Sequence, residues 1–138
     1  MRTLVLGGTV FLSKAVAAAA VARGHDVVCA ARGSSGAVPD GARLVGIDRD
    51  AEGGLAPLAG ERFDAVVDVA TISYPWVAEA LRVLRAGAGH WTFVSSISVY
   101  SNISTLNQRP DAPVLAPKRL AGDAETGVDP DLYGAVKV

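Results

Sequence analysis

Three groups of residues in this sequence have types and spacings that could do chemistry. The first lies in "LVLGGTVFLS", Leu4 to Ser13, where an aliphatic run ends in Gly7-Gly8 and an alanine-rich stretch follows. Glycine at the end of a strand can bend the backbone tightly and let it approach a pyrophosphate. The helix that follows offers free N–H groups and a partial positive charge to an anion. A dinucleotide turn would place further glycines three and six residues after the first, and those places hold Val10 and Ser13. Gly7 can make the turn, and Gly8 adds flexibility beside it. Val10 must turn its side chain away from a pyrophosphate, and Ser13 is small enough for fairly close packing. From the motif alone a plain strand-to-helix turn reads equally well. The second group is "FVSSISVYS", with Ser95, Ser96 and Ser98. Their hydroxyls could face the same crevice or satisfy local backbone. The third is Tyr133 and Lys137 in "LYGAVK", four apart and so on one face of a helix. A nearby ammonium stabilises a phenolate, so such a tyrosine could exchange a proton near neutral pH. Alone, a Tyr-x-x-x-Lys pair is also a frequent accident.

Two charges stand where a dinucleotide would need them. Arg32 follows the apolar run "DVVCAA", near the place of an adenosine ribose. No carboxylate is there to take the ribose hydroxyls, so Arg32 either meets a 2′-phosphate, favouring NADP over NAD, or is a solvated loop charge. Asp48, in "GIDRD", either accepts a hydrogen bond from the adenine amino group or is a turn residue. Metal chemistry has little support, because neither His25 nor His90 has ligand spacing with a carboxylate or thiol partner. The single cysteine, Cys29, excludes an internal disulfide and reads as a small core residue.

The elements that must position these groups are legible as alternating apolar runs and helical stretches. Strands are predicted at Thr3–Leu6, Asp26–Ala30, Arg43–Ile47, Ala65–Ala70 and Trp91–Ser95. Helices are predicted at Phe11–Arg23, stopped by Gly24, and from Tyr74 to Ala86, with Val77, Leu81 and Leu84 on one face. Strands that are aliphatic on both faces need cover on both sides, which points to a parallel sheet with crossover helices. The expected fold is therefore α/β, a doubly wound parallel sheet of strand order 3-2-1-4-5. Its switch point lies between strands 1 and 4, and residues 7–13, 30–33, 48, 70–72 and 95–98 would gather there. Residues 101–130, with four prolines and no sustained period, read as a long loop that covers a site.

The totals agree with one globular domain over 1–138. Half of the 138 residues are hydrophobic and a fifth are charged, with a formal net charge of −1. That balance argues against a nucleic-acid surface, which would show a basic excess. No targeting segment is apparent, and Ala15–Ala22 is too short to span a bilayer, so no membrane partner is expected and the cytoplasm is the expected setting.

In order along the chain, the glycine turn, the serines and the Tyr-x-x-x-Lys pair resemble the short-chain dehydrogenase/reductase superfamily. The resemblance is to its extended and atypical members, the NAD-dependent epimerase/dehydratase family. "MRTLVLGGTVFLS", "ARGHDVV", "FVSSISVY" and "YGAVK" carry the likeness. Atypical members often begin Gly-Gly-Thr-x-Phe-x-Gly, with a side chain at the place of Val10, whereas Ser13 departs from the usual glycine. The resemblance implies an NADP or NAD site in which Gly7, Gly8, Thr9, Val10, Phe11 and Leu12 form the turn. Ala70 and Thr71 would line the cofactor after strand 4, and Asp48 would contact the adenine. Ser96 would hold the substrate oxygen, Tyr133 would move the hydroxyl proton, and Lys137 would lower the Tyr133 pKa and bind the nicotinamide ribose.

Family members continue well beyond the position of Val138. Lys137 is therefore expected on a frayed terminus, and the apolar surface around strand 5 is expected to be uncovered, which invites dimerisation. Two readings follow. One is an oxidoreductase or epimerase acting at a carbinol or ketone carbon of a small molecule, such as a nucleotide sugar, with this chain inactive alone. The other is a non-catalytic dinucleotide-binding or interaction module.

Overall fold

The structure is a computed structural model that describes residues 1–70, 74–119 and 130–138. The chain divides into two units, Met1–Ala70 with Pro75–Val94, and Thr71–Tyr74 with Ser95–Val138.

The first unit is built on a five-stranded parallel sheet in the order β3-β2-β1-β4-β5. Its strands are β1 (Arg2–Leu6), β2 (Asp26–Ala31), β3 (Ala42–Gly46), β4 (Ala65–Asp68) and β5 (Trp91–Phe93). Two helices accompany it, α1 (Phe11–Ala22) and α2 (Tyr74–Leu84). The two-faced aliphatic strands dictate this arrangement. Leu4, Val5, Val27, Val28 and Val66 are fully enclosed, and enclosure on both sheet faces requires cover on both. One face buries Leu4, Leu6, Val28 and Val66 with Leu55, Leu58, Ala80 and Leu84. The other buries Val5, Val27 and Cys29 against Ala17 of α1. Truncating any of the enclosed leucines to alanine would cost about 2–5 kcal/mol. The register sets Leu6 beside Ala30 on one side and Asp68 on the other, so three strands end at one level. The chain reverses direction of winding at that place, between β1 and β4.

Local chemistry trims the predicted elements. α1 stops at Ala22, and Gly24, at φ +77°, takes the left-handed turn while His25 N–H donates to the Ala20 carbonyl. β4 ends at Asp68 instead of Ala70, because the Asp68 carboxylate accepts the Ala70 N–H at 2.9 Å and turns the chain out of the ladder. α2 closes in a 3-10 turn, Arg85–Gly87. Its buried residues are Ala80 and Leu84, and Leu81 is exposed. The core-facing stripe thus lies to one side of the Val77, Leu81 and Leu84 line. β5 is shorter than predicted, ending at Phe93, and Phe93 stands at the exposed end of the sheet.

In the second unit a 3-10 turn, Ile97–Val99, leads to an antiparallel bridge between Tyr100 and Val114. Helix α3 (Pro130–Lys137) packs on that turn. Gly134 lies so close to the Ser98 carbonyl that a Cβ could not fit there. The described part of the proline-rich stretch carries turns and this one bridge, and residues 120–129 lie outside the described residues. Among the described residues, no helix is long and apolar enough to cross a membrane.

Candidate functional site

The glycine pair has two different steric tasks. Gly7 sits at φ +124° and Gly8 at φ +103°, both costly for any residue with a Cβ. A Cβ on Gly7 would lie 3.0 Å from the Cβ of Ser13 and 3.1 Å from its Oγ. Gly7 therefore lets the strand end and the first turn of α1 lie against each other. A Cβ on Gly8 would run into Cys29, 2.7 Å from its Cβ and closer still to its Sγ. Gly8 thus packs onto the buried thiol of β2, a more specific task than the local flexibility read from the sequence. Ser13 fits the place of a third glycine because its Oγ donates to the Val10 carbonyl at 2.9 Å, inside its own helix. Burial pushes the Cys29 thiol pKa up, so the sulfur stays protonated beneath the turn.

The amino end of α1 is left open. Val10 is the N-cap, in extended backbone at φ −141° and ψ 155°, with no side-chain capping bond. No acidic residue stands in the first turn. The first helical bond runs from Lys14 N–H to the Val10 carbonyl. The partial positive charge of the helix is therefore not offset by its own residues. Phe11, at the first helical position, has φ +43° and is 93 % exposed.

A cleft of about 200 Å³ opens at this level. Gly7, Thr9 and Val10 form one wall, Ala30 to Gly33 a second, Ile47 to Asp50 a third, and Val69, Ala70 and Trp76 the last. Each wall follows the carboxyl end of a strand, β2 and β4 flanking β1. That is the general position for ligands in an open doubly wound sheet. The volume is below the roughly 300 Å³ at which whole-ligand pockets begin, and suits one nucleoside half of a dinucleotide.

Charge in the cleft is organised by two linked pairs. Arg49 donates to both oxygens of Asp68, at 2.8 and 3.1 Å, and to the Trp76 carbonyl at 2.8 Å. Its guanidinium also lies 5.2 Å from the Trp76 ring centroid. Asp68 is fully buried and the Arg49 side chain is 9 % exposed, so this pair fixes the ends of β3 and β4 and the start of α2 together. Arg49 Nε is buried without a hydrogen-bond partner among the described residues. At the rim, Arg32 Nη1 stands 3.8 Å from Asp50 Oδ2. Asp50 Oδ1 accepts from Trp76 Nε1 at 2.8 Å. Asp50 N–H donates to Asp48 Oδ1 at 3.0 Å.

Of the residues singled out in the sequence, Gly7, Thr9, Val10, Arg32, Asp48 and Ala70 all line this cleft. Gly8 faces Cys29, while Phe11 and Leu12 are exposed at the start of α1. Thr71 lies outside the described residues. Sequence reasoning missed Arg49, Asp50, Asp68 and Trp76. One signal could have found the first pair: a carboxylate inside the aliphatic run "AVVDVA" must have a partner when buried, and "GIDRD" supplies a cation.

Ser96, Tyr133 and Lys137 all belong to the second unit. Ser96 Oγ accepts from Ser98 N–H at 3.1 Å and donates to Ser98 Oγ at 3.2 Å, so it caps the 3-10 turn. Tyr133 is half-buried on α3. Lys137 departs from the expected frayed position: it is 6 % exposed, and its carbonyl accepts from Ser95 Oγ at 3.3 Å. The Lys118 N–H bond to the Ala135 carbonyl, 2.8 Å, further secures α3. Packing within the unit holds the helix end that propensity alone would leave loose.

No protein-family model matches the chain. A 2'-dehydrokanamycin reductase of Streptomyces kanamyceticus is 33 % identical over 131 residues, which cover 94 % of this chain and 35 % of that enzyme. Among solved structures, a UDP-galactose 4-epimerase matches with a TM-score of 0.72 at 22 % identity, over 99 % of this chain and 48 % of its own. The Bordetella bronchiseptica enzyme WbmG, solved in complex with NAD and UDP, matches with a TM-score of 0.66 at 15 % identity, over 83 % of this chain and 44 % of its own. The chain thus spans half or less of the length of each of these proteins. In strand order, in the placing of its cleft and in its neighbours, the chain has the Rossmann-type fold of the NAD-dependent epimerase/dehydratase and short-chain dehydrogenase proteins, of which it spans a part.

Proposed function

We propose that the first unit binds a nicotinamide dinucleotide, NADP or NAD, and that the whole protein is an oxidoreductase or epimerase acting at a carbinol or ketone carbon. One observation carries the reading. The uncapped amino end of α1 and the glycine at φ +124° stand at the same cleft as Arg32 and Asp48. The residues present fit such a group. Gly7 lets the strand end lie against Ser13 and so brings the amino end of α1 to the cleft, the helix end lacks an anion of its own, and the cleft walls are largely apolar. In this reading the turn from Gly7 to Leu12 holds the diphosphate, Val69 and Ala70 flank it, and Asp48 takes the adenine amino group. Bound there, the nicotinamide supplies a hydride acceptor or donor.

The second unit carries the proton chemistry in this proposal. Ser96 Oγ holds the substrate oxygen, Tyr133 passes the hydroxyl proton, and Lys137, four residues further along the same helix, holds the nicotinamide ribose. A 2'-dehydro reductase and a 4-epimerase both change the oxidation or configuration of an oxygen-bearing carbon. The same reaction class is proposed here, with a sugar, free or nucleotide-linked, as the substrate type. The proposed setting is the cytoplasm, whose reducing chemistry suits a buried free thiol.

Titration of the protein with NADPH and NADH, followed by fluorescence of Trp76 and of the nicotinamide, tests the binding half. Saturable quenching that ADP competes away is expected. No saturable signal with either nucleotide would overturn it.

A further inference from the structure

Arg32 stands at the rim of the cleft, but it does not stand alone. Its Nη1 is 3.8 Å from Asp50 Oδ2, and both side chains are about half-exposed. Asp50 is held in that place from two sides, by the indole N–H of Trp76 on its Oδ1 and by its own N–H on Asp48 Oδ1. Trp76 in turn is fixed by Arg49, which donates to its carbonyl and lies over its ring. The carboxylate beside Arg32 is therefore tethered, through Trp76, to the cleft's buried ion pair. Among the described residues, the charged ones lining the cleft are Arg32, Asp48, Arg49 and Asp50. Arg49 is neutralised by Asp68, which leaves Arg32 with Asp50 as its neighbouring carboxylate.

We infer that Asp50 is a specificity-determining residue of this cleft, which competes with a 2′-phosphate for Arg32 and so holds the preference for NADP below that of an unpaired arginine. The inference rests on the proposed dinucleotide site. A 2′-phosphate arriving at Arg32 would bring nearly two negative charges beside a carboxylate that the Trp76 indole holds in place. A ribose that carries only hydroxyls meets no such repulsion, and a hydroxyl can donate to a carboxylate. An exposed pair of this kind is individually weak, so the effect is a tuning of the ratio and not an exclusion of either cofactor.

Calorimetric titration of the wild type, D50N, R32A and the R32A/D50N double variant with NADPH and with NADH tests this. The amide introduced by D50N retains an oxygen for the Trp76 indole, so the tether survives the change. The ratio of NADPH to NADH affinity should rise about five-fold in D50N, the size expected for removing one screened charge beside a phosphate. That gain should vanish in the R32A background. Wild-type binding with an unchanged or lowered ratio in D50N would overturn the role of Asp50 and leave the dinucleotide site standing. Failure of the wild type to bind either nucleotide would overturn both.

Discussion

The guanidinium of Arg49 grips both carboxylate oxygens of Asp68, at 2.8 and 3.1 Å, with Asp68 wholly removed from solvent. Asp68 Oδ1 also receives the Ala70 N–H. One carboxylate thus ends β4, anchors the loop after β3 and, through Arg49, holds the first turn of α2. Removing one partner strands a buried charge, which costs about 3–5 kcal/mol. Asp68→Ala should therefore lower the unfolding free energy by about that amount in urea titrations. The double change D68L/R49M, which removes both charges, should recover at least half of the loss. Equal destabilisation by the single and double variants would show that packing, not the stranded charge, sets the cost.

Gly8 and Cys29 form a second coupled pair, because a Cβ on Gly8 would overlap the thiol. Gly8→Ala meets both that overlap and the strain of φ +103° and should cost about 2 kcal/mol or more. Cys29→Gly clears the space, whereas alanine would keep the Cβ contact at 2.7 Å. A double-mutant cycle should then give a favourable coupling of about 1 kcal/mol, read from chemical denaturation. Strict additivity would mean that backbone strain alone accounts for the glycine.

The buried thiol also has a pH signature. Burial raises the Cys29 pKa in the folded chain, so the folded state holds the proton more tightly than the unfolded state. The sign follows from linkage: the stability is fully present below the ordinary thiol range and falls as pH rises through it. The wild type should lose stability relative to Cys29→Ala between neutral pH and alkaline pH above the ordinary thiol value. Reaction with a disulfide reagent at pH 8 should be slow until denaturant is added. Rapid native-state labelling would contradict the burial.

Ser13 tests how close the turn comes to its ligand. It occupies the space beside Gly7 and bonds back to Val10. Ser13→Gly should weaken the helix by about 0.5–1 kcal/mol while tightening dinucleotide binding several-fold, since the backbone gains room to approach. Gly7→Ala should weaken binding more than ten-fold by thrusting a Cβ toward Ser13. Calorimetry on the folded variants separates the two effects.

The sheet was legible because β1, β2 and β4 are aliphatic on both faces, a pattern that only a doubly covered parallel sheet satisfies. Arg32 and Asp48 could be placed at the cleft because each directly follows a strand. The Arg49–Asp68 pair was hidden because its members are 19 residues apart and meet only once β3 and β4 lie in one sheet. Gly8 looked like a hinge because the atom it must clear belongs to another strand. The buried side of α2 was misjudged because Ala80, small and weakly apolar, marks the core face while the larger Leu81 is exposed. Lys137 looked loose because propensity says nothing of the packing that encloses it.

The central claim is that the amino end of α1, bent into place by Gly7, holds a diphosphate. Backbone amide chemical shifts of isotope-labelled protein, recorded while ADP and then adenosine are added, test it most directly. ADP should move the amides of Phe11, Leu12 and Ser13 more than any others, and adenosine should leave those three nearly still while shifting Asp48 and Ala70. If ADP shifts no amide between Gly7 and Ser13, or shifts them no more than adenosine does, the diphosphate is not held there.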